Sequence, residues 1–480
     1  MAIAGLGWIC SAEGRFALAT SPVCIEAWFR AELPRLNGAV LSGAAPRTAV
    51  ADAMVALLKD LPSPTALTVQ EAQRLVIGLG LAGASVARHY QEHDQRCRQR
   101  PEHAFDGLLA GPELLPFRGY FAALAERTGT GHCGRDTYAS LVLWNVPTTE
   151  VRFEGRTLTT LAGVTDGDVL SYTGDPCEPW FFELVKRGQT LEAAVNAVLE
   201  PLVEGADRDL MSAEGVRRVR LAVVLLEALR RLFLDFADPA VPGRGMQPRY
   251  FMDVFRQFAA HWVPGDIPPS GALDADALKR DFVLGTFDEH YRQHVELIMP
   301  ALLAGERADL RRRMGQRSLP DRLLATLDLD PGVLAALSPE RLRALTAAYP
   351  AFGPWYRMLS GHARAAGAHL MLSKRFLFNP QRRRDEEGLG DRQLVSNRRG
   401  TTGMDESMLG RLARMRREHS LAEFRRTPLA GSESVAHDRV EGVELLPEFA
   451  MSAAPAGPAR SAGLPRARSR LTRHRTAGDR

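Results

Sequence analysis

Apolar residues recur at helical spacing along most of this 480-residue chain, and that period restricts the fold more than any other feature. From Val216 to Phe236 the stripe Val219, Leu221, Val223, Val224, Leu226, Leu229 and Leu232 is backed by arginines. That pattern predicts an amphipathic helix with one face in a core. The same spacing in Val50–Leu58, in Glu71–Val86 and through about 176–420 predicts a mainly α protein. One stretch differs. Tyr138–Asn145 and Glu150–Thr159 carry β-branched and aromatic residues on either side of Pro147, which predicts a small hairpin.

With 45% hydrophobic residues, a chain of this length buries a large core and has room for two folded units. The expected division is a helical amino-terminal domain (1–125), a larger helical domain (126–427) and a disordered basic tail (428–480). The first is punctuated by Leu61-Pro-Ser-Pro64 and Ala110-Gly-Pro112; the tail is rich in Ala, Pro, Gly, Ser and Arg. Seven arginines beyond residue 455 account for much of the net charge of +4, so the rest is near neutral and no nucleic-acid partner is expected. Five cysteines (Cys10, Cys24, Cys97, Cys133, Cys177) form no disulfide framework and fit a reducing cytoplasm. No apolar run approaches the roughly 18 residues of a membrane helix. The amino terminus lacks the basic segment of a signal peptide, so a soluble cytoplasmic protein without a membrane partner is expected.

His369 is the leading candidate for chemistry. It lies in Arg364-Ala-Ala-Gly-Ala-His369-Leu-Met-Leu-Ser-Lys374, where Ala365, Ala366, Leu372 and Ser373 share its helical face. Small neighbours let a flat macrocycle approach while the imidazole reaches its iron. The alternative is a hydrogen-bonded core histidine. Arg256, in Tyr250-Phe251-Met252-Asp253-Val254-Phe255-Arg256, could clamp a carboxylate bidentately or pair internally with Asp253. Gly78-Leu-Gly80-Leu-Ala-Gly83 matches a dinucleotide motif but follows a helical segment, so a small-residue packing face is the better reading. His89/His93 and His290/His294 have chelating spacing, yet their charged surroundings read as solvated helix faces. His132-Cys133 reads as part of a structural loop. Residues 379–399, mostly charged, read as a connection or lid before Gly400-Thr401-Thr402-Gly403.

Four segments in chain order carry a family resemblance: Leu141-Val-Leu-Trp144-Asn145 with Ser171-Tyr-Thr-Gly174 and the following Asp-Pro-Cys-Glu-Pro-Trp-Phe181-Phe182; Tyr250-Phe251 with Arg256; His369; and Gly400–Gly403. Together they resemble the indoleamine 2,3-dioxygenase superfamily from about residue 135 to 420, closest to its bacterial branch with the pyrrolnitrin-pathway haem enzyme. The resemblance implies a multi-helix haem domain of that type, with a smaller amino-terminal helical domain. It implies haem b held through His369 and a haem-dependent, dioxygenase-like oxidoreductase of specialised metabolism. The substrate would be tryptophan or a substituted tryptophan, oxidised or rearranged with dioxygen or peroxide, with an electron donor as a further partner. Arg256 would hold the substrate carboxylate, Tyr250 and Phe251 its ring, and Gly400, Thr401, Thr402 and Gly403 its ammonium.

The chain departs from the family where Thr402 replaces a glycine of the Gly-Thr-Gly-Gly loop. Ala366 stands where well-known members place an arginine near a haem propionate, leaving that work to Arg364, Lys374 or a more distant arginine. Two alternatives are a non-haem metal enzyme built on the His-x-x-x-His pairs and a non-catalytic helical binding protein.

Overall fold

In the computed structural model, which describes residues 22–130, 134–165, 167–237, 245–390, 394–396, 404–426 and 442–447, the fold is mainly helical. A capping box starts α1 (Val69–His93): Thr68 Oγ1 accepts Glu71 N–H at 3.2 Å, and the Glu71 carboxylate accepts Thr68 N–H at 2.8 Å. The glycines of the dinucleotide-like motif lie inside this helix, where they admit aromatic rings. A Cβ on Gly78 would stand 2.1 Å from the Phe29 ring, and one on Gly83 would stand 2.5 Å from Trp262. Those distances explain the Gly/Ala face as close packing.

His89, read from sequence as solvated, is fully buried on the same helix. Its Nε2 lies 2.8 Å from Asn37 Oδ1, while Asn37 Nδ2 donates to Ser85 Oγ at 2.9 Å and to the Tyr172 carbonyl at 2.7 Å. The charged residues flanking it in sequence belong to other faces of the helix, so proximity in the chain misled the reading. Burial pulls the His89 pKa down to about 3.

Two long helices, α2 (Cys177–Glu204) and α3 (Ala213–Ala237), run antiparallel: Gly188 meets Phe233, and Arg218 donates to the Val198 carbonyl. Helix α4 (Phe352–Ser373) runs parallel to α3, with Gly361 against Leu226 and His369 against Phe233. The arginine-backed stripe thus supplies the central contact of the fold. Helix α4 continues through a π-helical turn, Lys374–Phe378, into Asn379–Glu386, so the expected break at 379 comes only after that helical segment. Pro380 is accommodated because it occupies a first-turn position, where its missing N–H is not needed.

The expected hairpin is shifted along the chain. Its first arm instead contains a π-helical turn, Ala139–Leu143, stabilised where Lys186 Nζ donates to the Leu143 and Val146 carbonyls, both at 2.7 Å. The strands are β1 (Thr149–Phe153) and β2 (Arg156–Leu161), joined at Glu154 and Gly155, both with positive φ. A third strand, β3 (Val443–Leu446), pairs antiparallel with β1 inside the stretch expected to be disordered, and Arg187 donates to the Leu445 carbonyl at 3.2 Å. Its short Val-Glu-Leu-Leu segment is too brief to show periodicity and depends on the β1 edge for its hydrogen bonds.

The described residues up to Leu446 belong to one compact unit, in which segments before and after position 125 pack together, as at Gly83 and Trp262. No helix among the described residues is long and apolar enough to cross a membrane.

Two outcomes are expected. Truncation after residue 427 removes β3 and should lower unfolding stability by about 1–3 kcal/mol relative to truncation after 447, measured by denaturant melts; equal stability would show that β3 contributes nothing. His89, with a folded pKa near 3 against an ordinary 6.5, stabilises the fold above pH 6.5 and loses that contribution as the pH falls towards 3. The stability advantage of wild type over His89→Gln should therefore shrink steadily between pH 6.5 and 4.

Candidate functional site

His369 combines two properties that rarely coincide. Its side chain is exposed to solvent, and the surrounding protein, followed by the charges of Arg416 and Arg280, draws its pKa to about 4. The imidazole is neutral at pH 7 and makes no side-chain hydrogen bond to a described residue; its described neighbour is the Phe233 ring, 5.4 Å away between centroids. Ala366 and Ser373 flank it on the helix and are partly accessible too, while Ala365 and Leu372 turn into the core.

A second group of aromatic rings joins α3 and the turn after α4 to the segment that holds Phe251. Phe376, on the π-helical turn after α4, packs 5.6 Å from Phe236 of α3 and 5.7 Å from Phe251. Phe251 lies on α5 (Pro248–Asp253) and meets Phe181 of α2 at 5.5 Å. His369 and Phe251, more than a hundred residues apart in sequence, thus meet different rings of α3: Phe233 lies against His369, and Phe236 is joined to Phe251 through Phe376. A π-helical turn is suited to such a place, since its wider register re-aims side chains and recurs at functional sites.

Tyr250 is oriented by a residue that the sequence reading did not single out. Glu178, fully buried in the first turn of α2, accepts Tyr250 Oη–H at 2.8 Å, Tyr172 N–H at 2.7 Å, and Thr173 N–H and Oγ1–H at 3.0 Å each. Burial raises the Glu178 pKa against these donors, which act in the opposite direction. The available signal was an acidic residue just inside a helix start, where carboxylates are favoured.

Arg256 does not continue the helix of Tyr250 and Phe251. Helix α5 ends at Asp253, Val254 breaks it at φ −120° and ψ −70°, and Arg256 sits on a 3₁₀ turn, Phe255–Phe258. The break is held from α1, where Arg88 Nη1 donates to the Val254 carbonyl at 3.0 Å while its guanidinium stacks 4.4 Å from the Phe258 ring. Arg256 is buried, and burial lowers its pKa to about 10. The carboxylate of Asp253, considered as its internal partner, is engaged by Arg384 at 2.9 Å and Arg249 at 3.4 Å.

Below His369 on the same face of α4, His362 is buried in a second network. Its Nε2 lies 2.9 Å from Asp281 Oδ1, and Asp281 also accepts from Tyr291 at 2.8 Å, Thr286 at 3.0 Å and Arg416 at 2.6 and 3.0 Å. Burial pulls His362 down to about 4, and although burial opposes ionisation of Asp281, Arg416 and His362 hold that carboxyl well below its ordinary range.

Gly400, Thr401, Thr402 and Gly403 lie outside the described residues, as do His132 and Cys133. Of the chelating pairs, His89 is committed to Asn37 and His290 is exposed. Among the described residues no group of three or more His, Cys, Asp or Glu side chains is placed to hold a metal ion. No protein-family model matches the chain, and no curated protein matches it.

Glu178→Ala should uncouple Tyr250 from the 172–173 backbone and leave two buried N–H groups unsatisfied, lowering stability by about 2–4 kcal/mol. Glu178→Gln retains an acceptor and should lose less than half of that, as read from denaturant titrations. Equal losses would show that the packing of the side chain matters rather than its acceptor oxygens.

Proposed function

We propose that this protein is a haem-dependent oxidoreductase acting on tryptophan or a substituted tryptophan, with His369 as the axial ligand of haem b. The observation that carries the reading is the His369 imidazole itself: reachable from solvent, held neutral by its surroundings, and free of hydrogen bonds to the described residues. A metal-ligating imidazole must be deprotonated at one nitrogen, and this environment keeps it so throughout the physiological range. The small side chains of Ala366 and Ser373 beside it, and the Phe233 ring against the imidazole, suit a flat apolar macrocycle. Arg364 and Lys374, exposed five residues to either side of His369, are cations that could meet its propionates.

Bound haem would supply activation of dioxygen or peroxide. The chain's own residues would bind and orient the substrate and exclude water. Arg256 would hold the carboxylate through its planar fork, which a lysine cannot reproduce. Phe251 would offer an aromatic face to the indole, and Tyr250, fixed by Glu178 and Thr173, would border the ring. The Gly400–Gly403 loop keeps the role that the family resemblance implies, closure over the ammonium group.

The test is a hemin titration of the purified protein followed by tryptophan. Wild type should develop an intense Soret band and shift it on adding tryptophan. His369→Ala should lose the histidine-ligated spectrum, whereas Arg256→Leu should retain it and lose the tryptophan-induced shift, with Arg256→Lys recovering little. An unchanged haem spectrum in His369→Ala would overturn the assignment. Equal weakening of tryptophan and tryptamine binding in Arg256→Leu would remove the carboxylate clamp.

A further inference from the structure

A single buried amide joins the turn that carries Arg256 to the chain just ahead of the Gly400 loop. Gln257 is 1% exposed. Its Nε2 donates to the Met252 carbonyl of α5 at 2.7 Å, and its Oε1 accepts Val395 N–H at 2.7 Å and Ser396 N–H at 3.0 Å. Both ends of the side chain are therefore committed, one to the helix of Tyr250 and Phe251 and the other to residues 394–396. A second tether lies upstream, where Arg384 Nη1 binds Asp253 Oδ1 at 2.9 Å and Arg384 Nε donates to the Gly390 carbonyl at 3.2 Å. Leu394 and Ser396 are themselves buried, so this backbone is seated against the protein.

We infer that Gln257 is a positioning residue for the substrate site, coupling the Arg256 turn to Val395 and Ser396 so that engagement of a substrate carboxylate is transmitted to the chain leading into the loop. The inference rests on the reading of Arg256 as the carboxylate anchor. Displacing the Gln257 amide breaks its bonds to the Met252 carbonyl and to the Val395 and Ser396 N–H groups, so one side chain holds both the turn beside Arg256 and the 394–396 backbone.

The experiment uses the full-length holoprotein with L-tryptophan as the probe. It measures amide hydrogen exchange in the peptide containing Val395 and Ser396, and tryptophan affinity by calorimetry. In wild type, tryptophan should slow exchange at these amides by about ten-fold or more. Gln257→Met, which keeps the length but removes the polar ends, should exchange rapidly with or without tryptophan and bind it about ten-fold more weakly. Gln257→Glu keeps an acceptor for Val395 and Ser396 N–H but sets its other oxygen against the Met252 carbonyl, so it should recover only part of both effects, which a purely volumetric role would not produce.

The inference is overturned if Gln257→Met binds tryptophan as tightly as wild type, or if tryptophan binds wild type without changing exchange at 395–396. A wild-type protein that binds no tryptophan at all would sink the functional reading, and this inference with it. That outcome is distinguishable because calorimetry would be silent before any variant is made.

Discussion

The Asp281 carboxylate is the interaction on which the geometry of the candidate site depends. It lies buried on Ala275–Val283 and accepts from one donor on each of three neighbouring helices: His362 of α4, Tyr291 of Glu289–Ile298 and Arg416 of Glu406–Arg417. A charge this deep survives only because a guanidinium and several donors surround it, and removing any one of them would leave another buried group unpaired. Helix α4 is thereby fixed in rotation, and rotation decides whether His369, seven residues beyond His362, is exposed or turned into the core.

Hydrophobic packing then sets depth. The parallel contact of α3 with α4 brings Phe233 to His369, and the π-helical turn beyond α4 swings Phe376 towards Phe251. Polar fixtures act alongside these contacts. Glu178 locks Tyr250, Arg88 catches the broken end of α5, and Gln257 fastens the connector.

These fixtures come from segments far apart in the chain. Arg88 and His89 are neighbours on α1 that serve opposite surroundings: one grips the Asp253–Val254 carbonyls, the other joins Asn37 beneath Tyr172. The amino-terminal helices therefore help to shape the candidate site directly, by holding the backbone that presents Tyr250, Phe251 and Arg256.

Helical period and small-residue faces were legible in the sequence because they are local. A stripe such as Val219–Leu232 needs only its own spacing to declare a buried face, and Gly78–Gly83 inside a helical pattern declares close packing. The small residues one helical turn from His369 are local in the same way. The tertiary structure alone decided what depends on partners distant in the chain. His89 became a core residue because Asn37 and Tyr172 close over it, β3 formed because β1 offered an edge, and α5 broke because Arg88 rewards the break with hydrogen bonds. Glu178, Asp281 and Gln257 gain their meaning from donors 70 to 140 residues away, and no period within a sequence window encodes a hydrogen bond across that distance.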